Sequence, residues 1–324
     1  MTRPVATAHT DSAGTEALAR QVREYLAERP RQLPSSALYD ALGSALFDTI
    51  CLLPWYPVTR AERRLIAANH GAILAAALQP TRLLELGGGS GEKLDLLLGA
   101  GPCPVDRIDL VDVSASALAT ATRAITEHRT VQVVTHHTKY EEGLKRAVAG
   151  RPADDRLCVL LLGSNIGNFD PDGARTFLAA IRRCLRQGDT LLIGVDLVKP
   201  EAEMLLAYDD PLGVTAAFNK NLLVRLNREL GADFDLTQFA HRAVWNREAS
   251  RVEMHLVSQV AQRARIPAAD LDVDFGKGES IWTESSYKYD ERTVAALLAN
   301  AGFASRRQWI DAEGRFLLAV ASVG

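Results

Sequence analysis

The sequence predicts an α/β protein: a parallel, doubly wound nucleotide-fold core joined to a second α+β domain made from the N-terminal segment and an insert. Three observations predict it. Short apolar strands alternate with amphipathic helices between Arg82 and Val195, and repeated βα units of this size imply a parallel sheet. The strand Arg82–Leu86 runs directly into a glycine-rich loop, where such sheets hold a ligand. After Val195 the rhythm changes to strand-like alternation, and an amphipathic helix returns at Glu291.

The elements follow in order. Thr15–Arg29 has helical spacing, with Leu18, Val22, Tyr25 and Leu26 on one face. Ser36–Ile50 reads as a second helix, capped by Ser35 or Ser36 and striped by Leu38, Leu42, Leu46 and Phe47. Pro54 and Pro57 break the chain. Thr59 and Glu62 then make a capping box for a third helix ending near Leu78. Core strands are expected at Arg82–Leu86, Arg107–Val111, Val131–Thr135, Leu157–Leu162 and Thr190–Val195. Helices between them are expected at Glu92–Leu98, Ala115–Thr126, Tyr140–Ala149 and Pro171–Leu185. The unbroken apolar run Leu157–Leu162 suits a strand buried on both faces. In the insert, Glu201–Leu206 and Val214–Gly231 have helical character. Ala243–Trp245, Arg251–Ala264 and Leu271–Phe275 alternate like antiparallel strands, followed by Gly276 and Gly278 in a loop. The helix Glu291–Ala301 and the strand pair Arg307–Ile310 and Phe316–Ala321 close the chain. The expected domains are 61–198 with 288–324 for the core, and 1–60 with 199–287 for the second domain.

Composition excludes several classes. The 324 residues are 47% apolar and 24% charged, enough to bury a substantial core. A net charge of −3 without a long run of Lys or Arg argues against a binder that neutralises nucleic-acid phosphates. No apolar stretch approaches the roughly 18 residues of a membrane span. Met1–Thr15 is polar, lacks the apolar segment of a secretory signal and reads as a frayed tail. Cys51, Cys103, Cys158 and Cys184 form no CxxC pair and read as small buried side chains in a reducing compartment. His70, His128, His136, His137, His241 and His255 show no ligand spacing beyond the adjacent pair His136 and His137. Adjacent strand residues point to opposite faces, so no metal is expected. The expectation is a cytoplasmic monomer without a membrane or nucleic-acid partner.

Glycines after a strand let the backbone approach a ligand and adopt positive φ. The dinucleotide spacing GxGxxG fails here. Counted from Gly87 its third glycine falls on Glu92, and from Gly89 on Leu94. A Walker loop fails because Lys93 is not directly preceded by glycine. The pattern that fits is acid-x-Gly-x-Gly-x-Gly, on Glu85, Gly87, Gly89 and Gly91. Asp112 follows the second core strand, about 20 residues beyond the loop, where an acid can accept both ribose hydroxyls. Its alternative role is to cap the helix beginning near Ala115. The fourth core strand leads into Gly163-Ser164-Asn165-Ile166-Gly167-Asn168. Ligands bind beyond the carboxyl ends of such strands. Asn165 and Asn168 each carry a donor and an acceptor, suited to a substrate amine and carboxylate. Both could instead serve the loop backbone.

The acid-x-Gly-x-Gly-x-Gly loop is similar to that of S-adenosylmethionine-dependent methyltransferases. Further stretches match one family: Tyr39-Asp40, Tyr56-Pro57 with Thr59-Arg60-Ala61-Glu62, Gly91-Glu92-Lys93, Asp112-Val113-Ser114 and Ile166-Gly167-Asn168. Asp196-Leu197-Val198-Lys199 and the long stretch from Tyr208-Asp209-Asp210 to Asp233-Phe234 match it too. On these residues the chain, from about Leu33 to its C-terminus, resembles the histidine-specific Nα-methyltransferases of ergothioneine biosynthesis. The resemblance implies a Rossmann-like class I methyltransferase core, S-adenosyl-L-methionine as cofactor with S-adenosyl-L-homocysteine as product, and a free amino acid as small-molecule substrate. It implies that Glu85, Gly87, Gly89, Gly91, Lys93, Asp112 and Tyr140 bind the cofactor. It further implies that Asn168 and Tyr208 hold the substrate carboxylate, and that Tyr39 and Tyr56 stand at the amine as catalytic residues. Glu284 and Ser286 would read the imidazole, Met254 would line the ring pocket, and Phe218 would belong to a covering loop. The chain departs from the family pattern at Lys139, where an acid usually follows the third strand, and at Asn165, Trp55 and Trp282.

The implied reaction is methylation of the L-histidine α-amine, up to the trimethyl betaine. That amine is mostly protonated at neutral pH, with a pKa near ~8 in small models, so the site must bind it deprotonated or help it shed a proton. The histidine reading rests on Glu284, Ser286 and Met254. Arginine is an alternative, because Glu284 could pair with a guanidinium. Tryptophan would set an acid against an indole N–H at a desolvation cost. A different class is a non-catalytic cofactor-binding regulator, against which Asn168, Tyr208 and Tyr39 argue. By spacing alone, Glu284 fits a solvated strand face and Met254 fits core filler.

Overall fold

The computed structural model describes residues 12–101 and 103–323; the expected frayed tail lies, up to residue 11, outside them. The chain begins with α1 (Ser12–Ala27), whose Leu18, Val22 and Leu26 are buried, and the short strand β1 (Arg31–Gln32). The helix expected over 36–50 is two pieces. A 3-10 turn at Ser35–Leu38 stops at Tyr39, and α2 (Ala41–Leu52) restarts behind Asp40. The Oδ1 of Asp40 accepts the Gly43 N–H at 2.7 Å, so Asp40 caps this helix rather than Ser35 or Ser36. Gly43 is required there, because any side chain would run into the Leu38 carbonyl.

Helix α3 (Pro57–Ala76) is opened by Pro57 behind Tyr56, with no side-chain cap. The Thr59–Glu62 capping box does not form: Glu62 is fully buried and its carboxylate accepts the Gly163 N–H instead. The βα rhythm then runs through β2 (Arg82–Leu86), α4 (Glu92–Leu98), β3 (Arg107–Asp112), α5 (Ala115–Thr126), β4 (Gln132–His137), α6 (Tyr140–Val148), β5 (Leu157–Leu161), α7 (Pro171–Cys184) and β6 (Thr190–Asp196). Beyond it come α8 (Glu201–Tyr208), α9 (Val214–Leu230), β7 (Phe239–Asn246), β8 (Arg251–Ser258), β9 (Gln262–Ile266), β10 (Leu271–Phe275) and β11 (Ser280–Tyr287). The chain closes with α10 (Glu291–Asn300), β12 (Phe303–Asp311) and β13 (Phe316–Val323). The single strand expected at Arg251–Ala264 is thus two, β8 and β9, separated by residues 259–261.

The chain divides into two compact units. One comprises Cys51–Ala207, Trp245–Val252 and Ser285–Gly324 up to the last described residue. Among the described residues it holds a seven-stranded sheet of order β12-β13-β6-β5-β2-β3-β4. Strands β2 to β6 are parallel, and β13 runs antiparallel to both of its neighbours. β2, β5 and β6 are buried at every residue, which is why they read as unbroken apolar runs. β2 pairs with β3 on one side and β5 on the other. Strand order reverses there, so the carboxyl ends of β2 and β5 open a ligand crevice. This is the doubly wound α/β core the sequence predicts.

The other unit comprises the described part of Met1–Ile50, with Tyr208–Val244 and Glu253–Glu284. Its sheet has the order β1-β11-β8-β7, with β1 parallel to β11, and β9 and β10 form an antiparallel pair. Helix α9 buries Phe218, Leu222, Leu223, Leu226 and Leu230. Five such side chains contribute on the order of 10 kcal/mol of hydrophobic stabilisation before entropy is counted. Among the described residues, no single helix is long and apolar enough to cross a membrane. Nor do three or more His, Cys, Asp or Glu residues gather closely enough to hold a metal.

Candidate active site

One cluster of the expected site residues stands at the carboxyl end of β2. Gly87, Gly89 and Gly91 all have positive φ, at 76°, 56° and 77°, where a side chain is strained. Space matters as well. A side chain at Gly87 would meet the Tyr140 hydroxyl and, at 2.8 Å, the Asn165 amide. At Gly91 it would stand 2.8 Å from the Ala121 Cα. At Gly89 nothing lies within 4 Å, so this part of the loop is open to a ligand.

Behind the loop lies Glu85, 1% exposed, with no hydrogen-bond partner for either carboxylate oxygen among the described residues. Burial pushes its carboxyl up to about 7; the charge of Lys93 opposes this and those of Glu62 and Asp112 add to it. A buried carboxylate without donors is costly. Its arrangement calls for a cationic, donor-rich ligand group, and the methionine end of S-adenosylmethionine is one. The residues therefore fit that cofactor.

A second carboxylate organises the neighbourhood. Both oxygens of Glu62 accept the Gly163 N–H, at 2.8 and 2.9 Å, and Oε2 accepts from the Lys93 ammonium at 2.9 Å. Burial works against the charge on Lys93, but Glu62 outweighs it and holds the ammonium above the ordinary lysine value. Glu62 thus ties α3 to α4 and to the turn that follows β5. Its sequence signal was absorbed by the apparent capping box.

Asp112 ends β3, and its Oδ1 accepts the Ser114 N–H at 2.8 Å. Ser114, not Asp112, caps α5, accepting from the Ala117 N–H at 3.2 Å. Burial raises the Asp112 carboxyl against the pull of the Ser114 and Gly89 backbone N–H groups. Tyr140 opens α6 and packs against Phe177 at 5.8 Å. Burial, then the charges of Asp112, Glu141 and Glu85, push its hydroxyl well above the usual value, so it stays protonated. Lys139 is exposed ahead of α6. Asn165 approaches Gly87, which puts it beside the glycine loop. Asn168 ends the same short 3-10 turn and is exposed. Ser164, at its start, takes a left-handed conformation, φ 59°.

Two more predicted residues belong to this unit. Tyr56 is buried ahead of α3. Ser286, near the end of β11, is buried and its Oγ accepts from the Lys288 ammonium at 2.9 Å. Lys288 also pairs with Asp196 at 2.8 Å, and Lys199 pairs with the same carboxylate.

The other unit gathers Tyr39, Phe218, Met254 and Glu284. The Tyr39 hydroxyl donates to Glu284 Oε1 at 3.3 Å, and its ring packs edge-on against Phe47 and Phe218 at 5.7 and 5.5 Å. Phe218 and Met254 are each 2% exposed. The Thr283 hydroxyl lies 2.6 Å from Asn219 Oδ1 and 2.9 Å from the Met254 carbonyl, which fixes the strand beside Glu284. Tyr208 is half-buried, and its carbonyl accepts from His241 Nε2 at 2.8 Å. Asn219 donates to His241 Nδ1 at 2.9 Å, so His241 is the Nε2–H tautomer. Burial holds its pKa below the ordinary histidine value.

Three comparisons with known proteins bear on this geometry. The family model described as histidine-specific methyltransferase, SAM-dependent, matches residues 18–323. The chain is 43% identical over 314 residues to a histidine N-alpha-methyltransferase of Mycolicibacterium smegmatis, covering 96% of each chain. It is 43% identical over 315 residues to the enzyme of that name from Mycobacterium tuberculosis, covering 96% of this chain and 97% of that one. A more distant relative is an L-tryptophan methyltransferase of Psilocybe serbica, 27% identical over 319 residues, with 89% and 87% covered. With an acid-x-Gly-x-Gly-x-Gly loop at the switch point of its sheet and a family match from Leu18 to Val323, the chain belongs to the histidine-specific family of S-adenosylmethionine-dependent methyltransferases.

Proposed function

We propose that this chain methylates the α-amine of L-histidine, as far as the trimethyl betaine. The similarity to the two mycobacterial histidine N-alpha-methyltransferases, over nearly the full length of all three chains, carries the reading. The proposed division of labour assigns 61–198 and 288–324 to the cofactor, and 1–60 and 199–287 to the amino acid.

When bound, S-adenosylmethionine supplies a sulfonium methyl group, whose positive charge disfavours a neighbouring ammonium. Glu85 supplies a carboxylate for the cofactor's cationic end, Gly87, Gly89 and Gly91 allow close backbone approach, and Asp112 accepts ribose hydroxyls. Tyr140 bounds the loop as a neutral hydroxyl, and Lys93 braces the site through Glu62. On the amino-acid side, Asn168 and Tyr208 take the carboxylate, while Glu284 and Ser286 take the imidazole. Met254 and Phe218 enclose the ring. Tyr39 and Tyr56 take the amine. The Tyr39 hydroxyl donates to Glu284, and its oxygen is assigned the role of accepting an amine N–H. An amine held that way keeps its nitrogen lone pair for in-line attack, and positioning of this kind supplies much of the rate.

The test is a panel of free amino acids with isotopically labelled S-adenosylmethionine, read by mass spectrometry. Histidine labelled on its α-nitrogen is expected. Product from arginine or tryptophan but not from histidine sinks the reading, and binding across the panel without any turnover would favour a regulator. Tyr39→Phe should lower kcat by about 10- to 100-fold while leaving the affinity for S-adenosylhomocysteine unchanged.

A further inference from the structure

Glu62 is a charged side chain for which the fold makes room. It lies near the start of α3 and is fully buried. Gly194, in β6, faces it: a side chain there would run into Glu62 Oε1. Two anchors hold the carboxylate. Both oxygens accept the Gly163 N–H, and Oε2 accepts from the Lys93 ammonium. Lys93 stands half-buried in the first turn of α4, and its ammonium lies 3.0 Å from where a side chain at Gly163 would begin. Glu85 is the contrasting case. Its carboxylate is tucked under the glycine loop, 2.6 Å from where a side chain at Gly88 would begin, and it has no hydrogen-bond partner among the described residues. The charge of Lys93 acts on Glu85, yet the ammonium bonds Glu62 instead.

We propose that Glu62 is a positioning residue: by holding the Lys93 ammonium beside Gly163 it keeps the lysine off Glu85, and so reserves Glu85 for the ammonium of the cofactor's amino-acid end. This deepens the assignment of Glu85 to the cofactor's cationic end, and rests on it. A buried ion pair adds little stability over apolar packing of the same volume; what this one fixes is the direction of the lysine. A lysine stem is flexible enough to turn, and a buried carboxylate without donors strongly attracts a cation. Without Glu62 the ammonium would pair with Glu85, and an incoming ammonium would have to displace it. The charged groups acting on Glu85 are Lys93 from α4, Glu62 from α3 and Asp112 from the end of β3. Tyr140, at the start of α6, feels the charge of Glu85, and Cys51 in α2 acts on Lys93. Burial, Glu62 and Asp112 push the Glu85 carboxyl up, and Lys93 pulls it down. Losing the charge of Glu62 removes a like charge and strengthens the pull of Lys93, so the carboxyl should fall from about 7 towards the ordinary 4.5.

The test is calorimetry in buffers of different ionisation enthalpy, with S-adenosylhomocysteine and with methylthioadenosine, which lacks the amino-acid end. Wild type keeps Glu85 protonated near pH 6 and should release close to one proton per S-adenosylhomocysteine bound there. Glu62→Gln keeps the shape that fits against Gly194. Its release should fall below about 0.3 proton, because Lys93 has already ionised Glu85. At about pH 8 the variant should bind S-adenosylhomocysteine about tenfold more weakly than wild type, and methylthioadenosine within about threefold of it. Removing the lysine as well, in the double variant Glu62→Gln with Lys93→Met, should return the release to close to one proton. Equal losses for the two ligands, a release in Glu62→Gln as large as in wild type, or a double variant whose release stays low each overturn the proposal. Should Glu62→Gln fail to fold, ligand-free wild type decides. By NMR of the carboxyl carbon Glu85 should titrate at about 7, and a midpoint near 4.5 would show Lys93 already paired with it and overturn the proposal. Absence of proton release in wild type removes the assignment of Glu85 to the cationic end, and this inference with it. Release in wild type that persists in Glu62→Gln removes the inference alone.

Discussion

Replacing Glu85 with glutamine keeps the shape of the side chain and removes its charge. Burial lifts the folded carboxyl from the ordinary 4.5 to about 7. A carboxyl raised in this way holds its proton more tightly in the folded chain than in the unfolded one. The stability it contributes is therefore intact below pH 4.5 and is lost as the pH rises through 7. At 1.36 kcal/mol per pKa unit, the ionised carboxylate costs the ligand-free fold about 3 kcal/mol at pH 8. Glu85→Gln should abolish that pH-dependent cost. In urea titrations the ligand-free variant should exceed wild type by up to about 3 kcal/mol at pH 8 and match it within about 1 kcal/mol at pH 5. Binding should change in the opposite sense. The cationic end of the ligand favours the ionised carboxylate, so wild type should release close to one proton per S-adenosylhomocysteine bound near pH 6. Calorimetry in buffers of different ionisation enthalpy reads that number. The variant should lose this release and bind about tenfold or more weakly, as expected for a lost charge-assisted hydrogen bond. A stability gap that stays constant between pH 5 and pH 8, with unchanged proton release, would refute the assignment of Glu85 as a strained carboxylate awaiting a cation.

Two further outcomes follow from the backbone. Gly91→Ala meets both a left-handed backbone and the Ala121 Cα, and should destabilise the fold by about 2–4 kcal/mol in denaturant titrations. Gly89→Ala has a similar φ but open space; it should cost about 1–2 kcal/mol and show its larger effect on S-adenosylhomocysteine affinity. Asp40→Ala removes the cap of α2 and bonds from Asn221 at 2.8 Å and Arg228 at 2.6 Å, and should cost about 1–2 kcal/mol at pH 7. Burial pushes the Asp40 carboxyl up, but Arg228, Gly43 and Asn221 outweigh it and hold it below the ordinary value. Its contribution is present above the unfolded pKa and fades as the pH falls through the folded one. The gap to wild type should shrink at pH 3, and a gap of equal size there would mean that the cap is not ionic.

The parts of this molecule that could be read from sequence are those whose cause is local. The apolar runs of β2, β5 and β6 are buried at every residue because helices cover a parallel sheet. The alternating glycines of the loop are demanded by their own φ angles. Tyr39 and Asp40 break a helix that spacing alone continued, because the Asp40 side chain offers Gly43 a closer partner than the preceding turn does. Glu62 is the opposite case. Its partners Lys93 and Gly163 lie 31 and 101 residues away, while Thr59 stands at capping-box distance, so the local pattern pointed to the wrong partner. A clue was available, since Pro57 already opens that helix two residues before Thr59. Ser286 and Lys288 sit between these cases. Residues two apart on a strand share a face, so their proximity was legible. The Asp196 that makes the lysine tolerable in the interior comes from a strand nearly a hundred residues earlier in the chain and was not. Charged groups in a buried site are thus the hardest to read from sequence, because each is acceptable only through a partner that the tertiary fold supplies. In this chain those groups are Glu62, which meets Lys93 and the Gly163 N–H, and Lys288, which meets Asp196.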